Sequence, residues 1–528
     1  MPRALVYVAG VLLVLGLALL ALTSLSWPFG WDQGIYAWAG DIIVRGGMPY
    51  RDAWVMKGPL VFYTFALAQT LFGQQLMAIR LLDLIFLTTT AGVLGAIIAR
   101  NAGSRVAGGG ALLFVLWYMS GTFWHTAQPD GWVSMLMVLG AAPLLLARGR
   151  IPWWAWLVVG GAVGLITLYK QLYAIFLLVP AVALLLRREG GPHALGPAVA
   201  LTLLGFVVPV TASVAWLSSK ITLGFLLDSV VRYPAEIYVG RGAGGLGARL
   251  SGLAEYLLGV PLLAVLSPAI ALGARTLWRR DRAQAAIILT WLCLAFAGIV
   301  IQGRYFIYHW LPAIPPMVIL AAYGFSGALA APGRGTLRPT VLKLMSALLV
   351  ITALYAAARP AFETMRWLAW QAGLIASEEY YDGFGIPGAD IRAARYLAEH
   401  STAEDRVLVW GWNASILFMS GRQSPTRFGW SMPLMLGEGT AAREAFRQEF
   451  LCDISRYPPR WIVIAPQSEM LLGGRFTVND FPEFAAFLNR HYKTRTSISN
   501  LVLHERGTTG VITAPAICGG GTASPTSP

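Results

Sequence analysis

The chain is 528 residues long, 56% hydrophobic and only 12% charged, with a mean hydropathy of +0.61. No ordinary soluble domain hides that much apolar surface, whereas a bilayer does. The formal net charge of +14 would suggest a nucleic-acid partner in a soluble protein, but here the basic residues sit mostly in short breaks between apolar runs, so no nucleic acid is expected.

Apolar runs long enough to span fall near residues 4–23, 79–99, 105–120, 131–147, 151–168, 172–186, 196–217, 257–274, 284–301, 306–327 and 341–358. That makes about eleven spans by the criterion of roughly 20 residues each. Arg3 precedes the first run. Arg100 and Arg105, then Arg148 and Arg150, Arg187 and Arg188, Arg279 to Arg282, and Arg334 to Lys343 fill every second gap. Short basic gaps stay in the cytoplasm, so the alternate gaps face outward and the N-terminus lies inside. A cleaved signal peptide is the other reading of the first run.

The expected outward segments are 24–78, 121–130, 169–171, 218–256, 302–305 and everything after 358. They are long and rich in Trp, Tyr, Asp and Gly, and chemistry concentrates in such loops. In the first of them a short helix from Gly34 ends at Gly46-Gly47, and Leu60–Phe72 reads as a second, interfacial helix. Residues 218–256 join an aromatic anchor, Arg232-Tyr233-Pro234 to Tyr238, to a glycine-rich stretch, 240–247. A gate over the site is expected there, against the plain alternative of a linker.

Beyond 358 the composition changes. Ile391–His400 reads as an amphipathic helix, and Arg406–Trp410, Trp461–Ala465 and Leu501–His504 as strands. Ala441–Phe450 and Phe481–His491 read as helices between them. Residues 359–518 are thus expected to form a small α/β extracytoplasmic domain, followed by a disordered tail, 519–528. No GxGxxG follows a strand, so nucleotide binding has no support. The three cysteines form no CxxC motif. Cys452 and Cys518 lie where an oxidising compartment permits a disulfide, although Cys518 adjoins the glycine-rich tail. Cys293 lies in a span.

Two acids stand at the expected outer membrane surface, Asp32 and Asp130. Each could be a helix cap, and each could serve as a base or orient a substrate. Lys57, Arg80, Lys170 and Arg304 fall at outer boundaries, where cations either snorkel to headgroups or clamp a phosphate. The tenth run opens with Gln302-Gly303-Arg304-Tyr305 and reaches His309, which pairs with Tyr305 at i,i+4 if the segment is helical. A histidine one turn inside a membrane is costly unless it is paired or faces a cavity.

The pattern Trp31-Asp32-Gln33-Gly34, Gly46-Gly47-Met48-Pro49-Tyr50-Arg51-Asp52, Lys57-Gly58-Pro59-Leu60 and Leu71-Phe72-Gly73 with Arg80 resembles bacterial GT-C glycosyltransferases. Within that superfamily it is similar to the lipid A aminoarabinose transferases and protein O-mannosyltransferases. Gly303-Arg304-Tyr305 to Pro315-Pro316 is similar to the same superfamily. The resemblance covers most of 1–358 in layout.

It implies a GT-C bundle with two juxtamembrane helices in the first outer loop, set in a bacterial plasma membrane. It also implies a polyprenyl-phosphate sugar donor and transfer with inversion to a cell-envelope acceptor. Asp32 matches the family's acid that serves as base or engages the acceptor. Lys57 matches a phosphate-holding cation, and Asp130 matches the second-loop acid by position. Many relatives carry a further acid where this chain has Gln33, which leaves a divalent metal unsupported and the acceptor class open. The combined reading assigns Asp32 and Asp130 to catalysis, and Lys57, Arg80, Lys170, Arg304, Tyr305 and His309 to the lipid phosphate or sugar. No cofactor is expected. Two rivals are a transporter or flippase of a lipid-linked sugar, which would show internal repeats and midplane charge, and a non-enzymatic envelope-binding scaffold.

Overall fold

A helix forms wherever the chain keeps a long apolar run. The computed structural model describes residues 3–186, 192–239, 245–259, 261–330, 337–465, 477–507, 512 and 518. Residues 240–244 of the expected gate and the tail 519–528 lie outside the described residues, as do Arg187, Arg188 and Arg334. Each of the expected apolar runs coincides with helix. Five of these helices are long and apolar enough to cross a membrane on length and composition: Leu76–Ala102, Pro129–Leu146, Leu195–Ser218, Arg282–Gln302 and Ile307–Gly327. Val11–Leu25, Trp153–Tyr169 and Gln171–Leu186 are shorter apolar helices at three further runs.

Burial sorts these helices. Leu195–Ser218 has 17% of its apolar window buried and exposes Leu203, Leu204, Val207 and Val208. A face of that kind suits lipid rather than water. Pro129–Leu146 and Ile307–Gly327 are 78% and 83% buried. They form the middle of the bundle, and their N-terminal ends carry Asp130, Tyr308 and His309.

The loop between the first two runs folds into two helices, Trp31–Val44 and Pro59–Phe72, as expected. The described residues of 218–256 are largely helical. Leu223–Leu227 is α-helical, Asp228–Arg232 and Pro234–Val239 are π-helical turns, and Leu246–Gly259 is a further helix. One helix, Leu337–Gln371, runs for 35 residues through the boundary expected at 358 and carries the chain into the C-terminal domain.

That domain holds a four-stranded mixed sheet: β1 (Val407–Trp410), β2 (Trp461–Ile464), β3 (Tyr492–Ile498) and β4 (Leu501–Arg506), in the order β1-β2-β4-β3. β1 and β2 are parallel, with Val407 opposite Trp461; β4 runs antiparallel to both β2 and β3. VLVW and WIVI are buried throughout, as continuous apolar strands between helical layers should be. Ile386–Glu399, Ala441–Arg456 and Pro482–His491 supply those layers. Sequence reasoning missed β3, whose YKTRTSI is polar and largely exposed at the sheet edge. Cys452 and Cys518 are joined by a disulfide, and Cys293 is free.

Candidate active site

Asp32 occupies the first turn of helix Trp31–Val44 and is half-buried. Its Oδ2 accepts a hydrogen bond from the Tyr308 hydroxyl at 2.5 Å. Next to it, Gln33 folds back: its Oε1 accepts from the Gly30 N–H at 2.6 Å, and its Nε2 donates to the carbonyls of Phe123 and Thr126. Two donated bonds to carbonyls need an amide. A carboxylate could not make them, which explains in this chain the departure from an acidic pair.

Lys57 reaches the same pocket from the segment before Pro59. The Tyr50 hydroxyl donates to the Lys57 carbonyl at 2.8 Å. Gly58 lies so close to the end of helix Trp153–Tyr169 that a Cβ there would stand 2.1 Å from the Leu168 carbonyl oxygen, so only glycine fits. The pocket is lined by Asp32, Lys57, Tyr36, Tyr238, Trp412 and Trp430, with Ile35, Val55, Met56 and Phe62 completing it. The Lys57 amine lies 5.8 Å from the centre of the Tyr238 ring. Arg304 approaches that ring at 4.8 Å and donates to the Tyr238 carbonyl at 2.6 Å. Burial first, and the charge of Asp32 second, hold the Tyr238 phenol well above its usual range, so it remains a neutral ring between cations. Among the described residues no carboxylate lies within ion-pair distance of Lys57 or Arg304.

The other expected site residues divide. Asp130 is 1% exposed and ion-paired. Both its oxygens accept from Lys170 Nζ, at 2.7 and 2.8 Å, and Gln302 Oε1 accepts from the same amine at 2.5 Å. The expected phosphate-clamping Lys170 is therefore spent on a buried carboxylate. Arg80, also 1% exposed, donates to Pro28 O, Thr126 O and Thr126 Oγ1, tying the first loop to the second. Its place in a phosphate clamp is not supported by this geometry.

Asp83, one turn along the helix from Arg80, is a buried acid that sequence reasoning passed over. It accepts from the Tyr118 hydroxyl and, at 3.0 Å, from Trp132 Nε1. An acid inside an apolar run was the available signal.

Residues 303–306 are not helical. Helix Arg282–Gln302 ends at Gly303 in the left-handed region, Tyr305 has φ +50°, and Ile307–Ala313 is a 3₁₀ segment containing Pro312. The i,i+4 pairing of Tyr305 with His309 is accordingly lost. Tyr305 turns away to donate to the Arg249 carbonyl and to pack on Gly252. Tyr308, not Tyr305, reaches Asp32. His309 is 3% exposed, sits 4.9 Å from the Tyr308 ring and has no partner for Nδ1.

The C-terminal domain closes the site. Trp430 Nε1 donates to the Trp54 carbonyl at 3.0 Å, the Trp54 N–H donates to the Arg427 carbonyl at 2.7 Å, and Gly34 abuts the backbone of Ser415. Among the described residues no group of three or more His, Cys, Asp or Glu is placed to hold a metal ion.

No family model and no curated protein sequence matches the chain. Among solved structures it is similar to ArnT from Cupriavidus metallidurans bound to undecaprenyl phosphate. The TM-score is 0.60 at 16% identity, over 95% of this chain and 98% of that one. The apo form of the same protein aligns with the same TM-score over 94% and 98%. An Archaeoglobus fulgidus oligosaccharyltransferase tethered with an acceptor peptide gives a TM-score of 0.48 at 12% identity, over 93% and 74%. The near-complete mutual coverage by ArnT shows that this chain has the GT-C fold, C-terminal domain included.

Proposed function

We propose that the protein is an inverting glycosyltransferase that moves a sugar from a polyprenyl-phosphate donor to a cell-envelope acceptor on the outer face of a bacterial plasma membrane. The observation that carries this reading is the pocket lined by Asp32, held by Tyr308, and by Lys57, which has no ion-pair partner among the described residues. The fold shared with ArnT, solved with undecaprenyl phosphate bound, supports the donor class. The Cys452–Cys518 disulfide supports placing the C-terminal domain in an oxidising compartment, on the side the basic loops leave outward.

The donor already carries a good leaving group. As the acceptor oxygen bonds to the anomeric carbon, the bond from that carbon to the phosphate oxygen breaks, and its electron pair leaves on the polyprenyl phosphate. Asp32 takes the acceptor's proton. Lys57, with Arg304 behind Tyr238, meets the phosphate charge as it develops. Asp130 and Lys170 form a buried ion pair, and His309 packs edge-on against the Tyr308 ring. Asp32→Asn tests the reading. In detergent with a polyprenyl-phosphate sugar, turnover should fall on the order of 10²- to 10⁴-fold, the range for a general base, with donor binding retained. Near wild-type turnover refutes the role of Asp32.

A further inference from the structure

Asp32, Gln33 and Gly34 are consecutive in the first turn of helix Trp31–Val44, and each meets a different part of the protein. Asp32 Oδ2 accepts from the Tyr308 hydroxyl. Gly34 lies against the C-terminal domain, where a Cβ would stand 2.7 Å from the Ser415 amide nitrogen. Gln33 is fully buried and holds the loop 121–128. Its Nε2 donates to the carbonyls of Phe123 and Thr126, while its Oε1 accepts from the Gly30 N–H.

The loop that Gln33 grips is itself fixed. Thr122 and Ala127 have φ of +51° and +55°, a conformation that a non-glycine residue keeps only where its surroundings impose it. Arg80 donates to the same Thr126 carbonyl at 3.0 Å. His125 Nδ1 donates to the Tyr118 carbonyl at 3.1 Å, and the ring also hydrogen-bonds the backbone of Ile307, the residue before Tyr308. One loop therefore touches the segments that carry both Asp32 and Tyr308.

Chemistry limits what position 33 can hold. The first turn of a helix favours an acid, but two facing carbonyls ask for a donor. A glutamate would present a carboxylate to them, and an asparagine reaches one carbon less far. Gln33 does not line the pocket, so it acts on the site through its neighbour. Successive residues project about 100° apart round a helix axis. A turn that slips its Gln33 anchor therefore swings the Asp32 carboxylate with it.

We propose that Gln33 is a positioning residue for the transfer: by latching the first turn of helix Trp31–Val44 to the loop 121–128, it holds Asp32 where Tyr308 meets it. On the proposed function, on which this inference rests, Asp32 takes the acceptor's proton. A misplacement of about 1 Å at such a group lowers the rate by up to roughly 10²-fold.

The test uses full-length protein in detergent with a polyprenyl-phosphate sugar as donor. Gln33→Met keeps the side chain's length and removes its hydrogen bonds. Its kcat should fall roughly ten- to a hundredfold, with donor KM and undecaprenyl phosphate affinity at wild-type values. Gln33→Glu should also lose kcat, because it cannot donate to both carbonyls. No hydrogen bond joins Gln33 to Tyr308 among the described residues, yet both act through Asp32. The double variant Gln33→Met with Tyr308→Phe should therefore lose less than the product of the two single effects. Wild-type kcat in Gln33→Met or Gln33→Glu, a loss confined to KM, or a fully multiplicative double variant overturns the positioning role. If Gln33→Met loses undecaprenyl phosphate binding as well, Gln33→Asn, which keeps the amide, decides: donor binding with wild-type kcat overturns the role, and donor binding with reduced kcat supports it. Failure of the wild type to bind undecaprenyl phosphate would instead overturn the proposed function.

Discussion

Tyr308→Phe removes one hydroxyl from the site and little else. The phenol donates to Asp32 Oδ2 at 2.5 Å, while its ring packs 5.6 Å from Phe306 and 4.9 Å from His309, contacts that phenylalanine repeats. A hydrogen bond to a charged group contributes about 1.5–3 kcal/mol. If that bond holds Asp32 in line with the acceptor, kcat/KM falls by roughly 10- to 150-fold on losing it. Undecaprenyl phosphate affinity should not move, because Lys57 is untouched. Sugar transfer in detergent from a polyprenyl-phosphate donor reads the first quantity, and lipid titration reads the second. Tyr305→Phe is the internal control. Its hydroxyl serves the Arg249 carbonyl outside the pocket, so its effect should stay within roughly threefold. Activity within about twofold of wild type in Tyr308→Phe, or a larger loss in Tyr305→Phe, would refute the assignment of Tyr308 as the residue that positions Asp32.

Lys57→Met should weaken undecaprenyl phosphate binding, and Lys57→Arg should retain part of it; equal affinity in Lys57→Met and wild type would leave Lys57 no phosphate role. Burial raises the Asp390 carboxyl to about 7 against the hydrogen bonds from Ser415 and Asn413. The folded protein then binds more protons there than the unfolded chain, so stability falls as pH rises from about 4 to about 7, by up to ~4 kcal/mol, and is level above. Melting of the wild type between pH 5 and 8 should show that slope and Asp390→Asn should flatten it; parallel curves would contradict it. Asp130→Asn and Lys170→Met should each destabilise the protein by about 3–5 kcal/mol, and the double variant by less than their sum; additive melting shifts would contradict a sealed pair.

The apolar helices and both first-loop helices were legible because apolar run length, glycine breaks and Pro59 act locally; of the eleven expected spans, five described helices are long and apolar enough to cross a membrane. β1, β2 and β4 were legible for the same reason, since VLVW, WIVI and LVLHER carry their own apolar signal. β3 carries none, being recognisable only through its pairing with β4. In the candidate site, Asp32 and Lys57 stood out by motif, and the structure brings both into one pocket. Tyr308 could not be preferred to Tyr305, because the choice depends on Gly303 and Tyr305 adopting positive φ and breaking the helix there. Trp412 and Trp430 lie some 380 residues or more from Asp32 in sequence. No local pattern announces that the C-terminal domain walls the pocket.

The chain contains two aspartate–lysine sets at one end of the bundle, and their difference is burial. Asp130 and Lys170 are sealed, 2.7 Å apart, with Gln302 taking another of the amine's hydrogens. Asp32 and Lys57 line one pocket without pairing, with the aspartate held by a neutral phenol and the lysine beside a neutral ring. A sealed pair has already exchanged its hydration for a partner, and removing one member strands the other. It can brace a floor, but it has no vacancy for a proton or a phosphate. An unpaired set keeps both capacities, and a donor–acceptor complex uses them at once. Loss of activity on mutating Asp130 is therefore no evidence that it meets the substrate. The informative residues are those whose charges the folded protein leaves unspent.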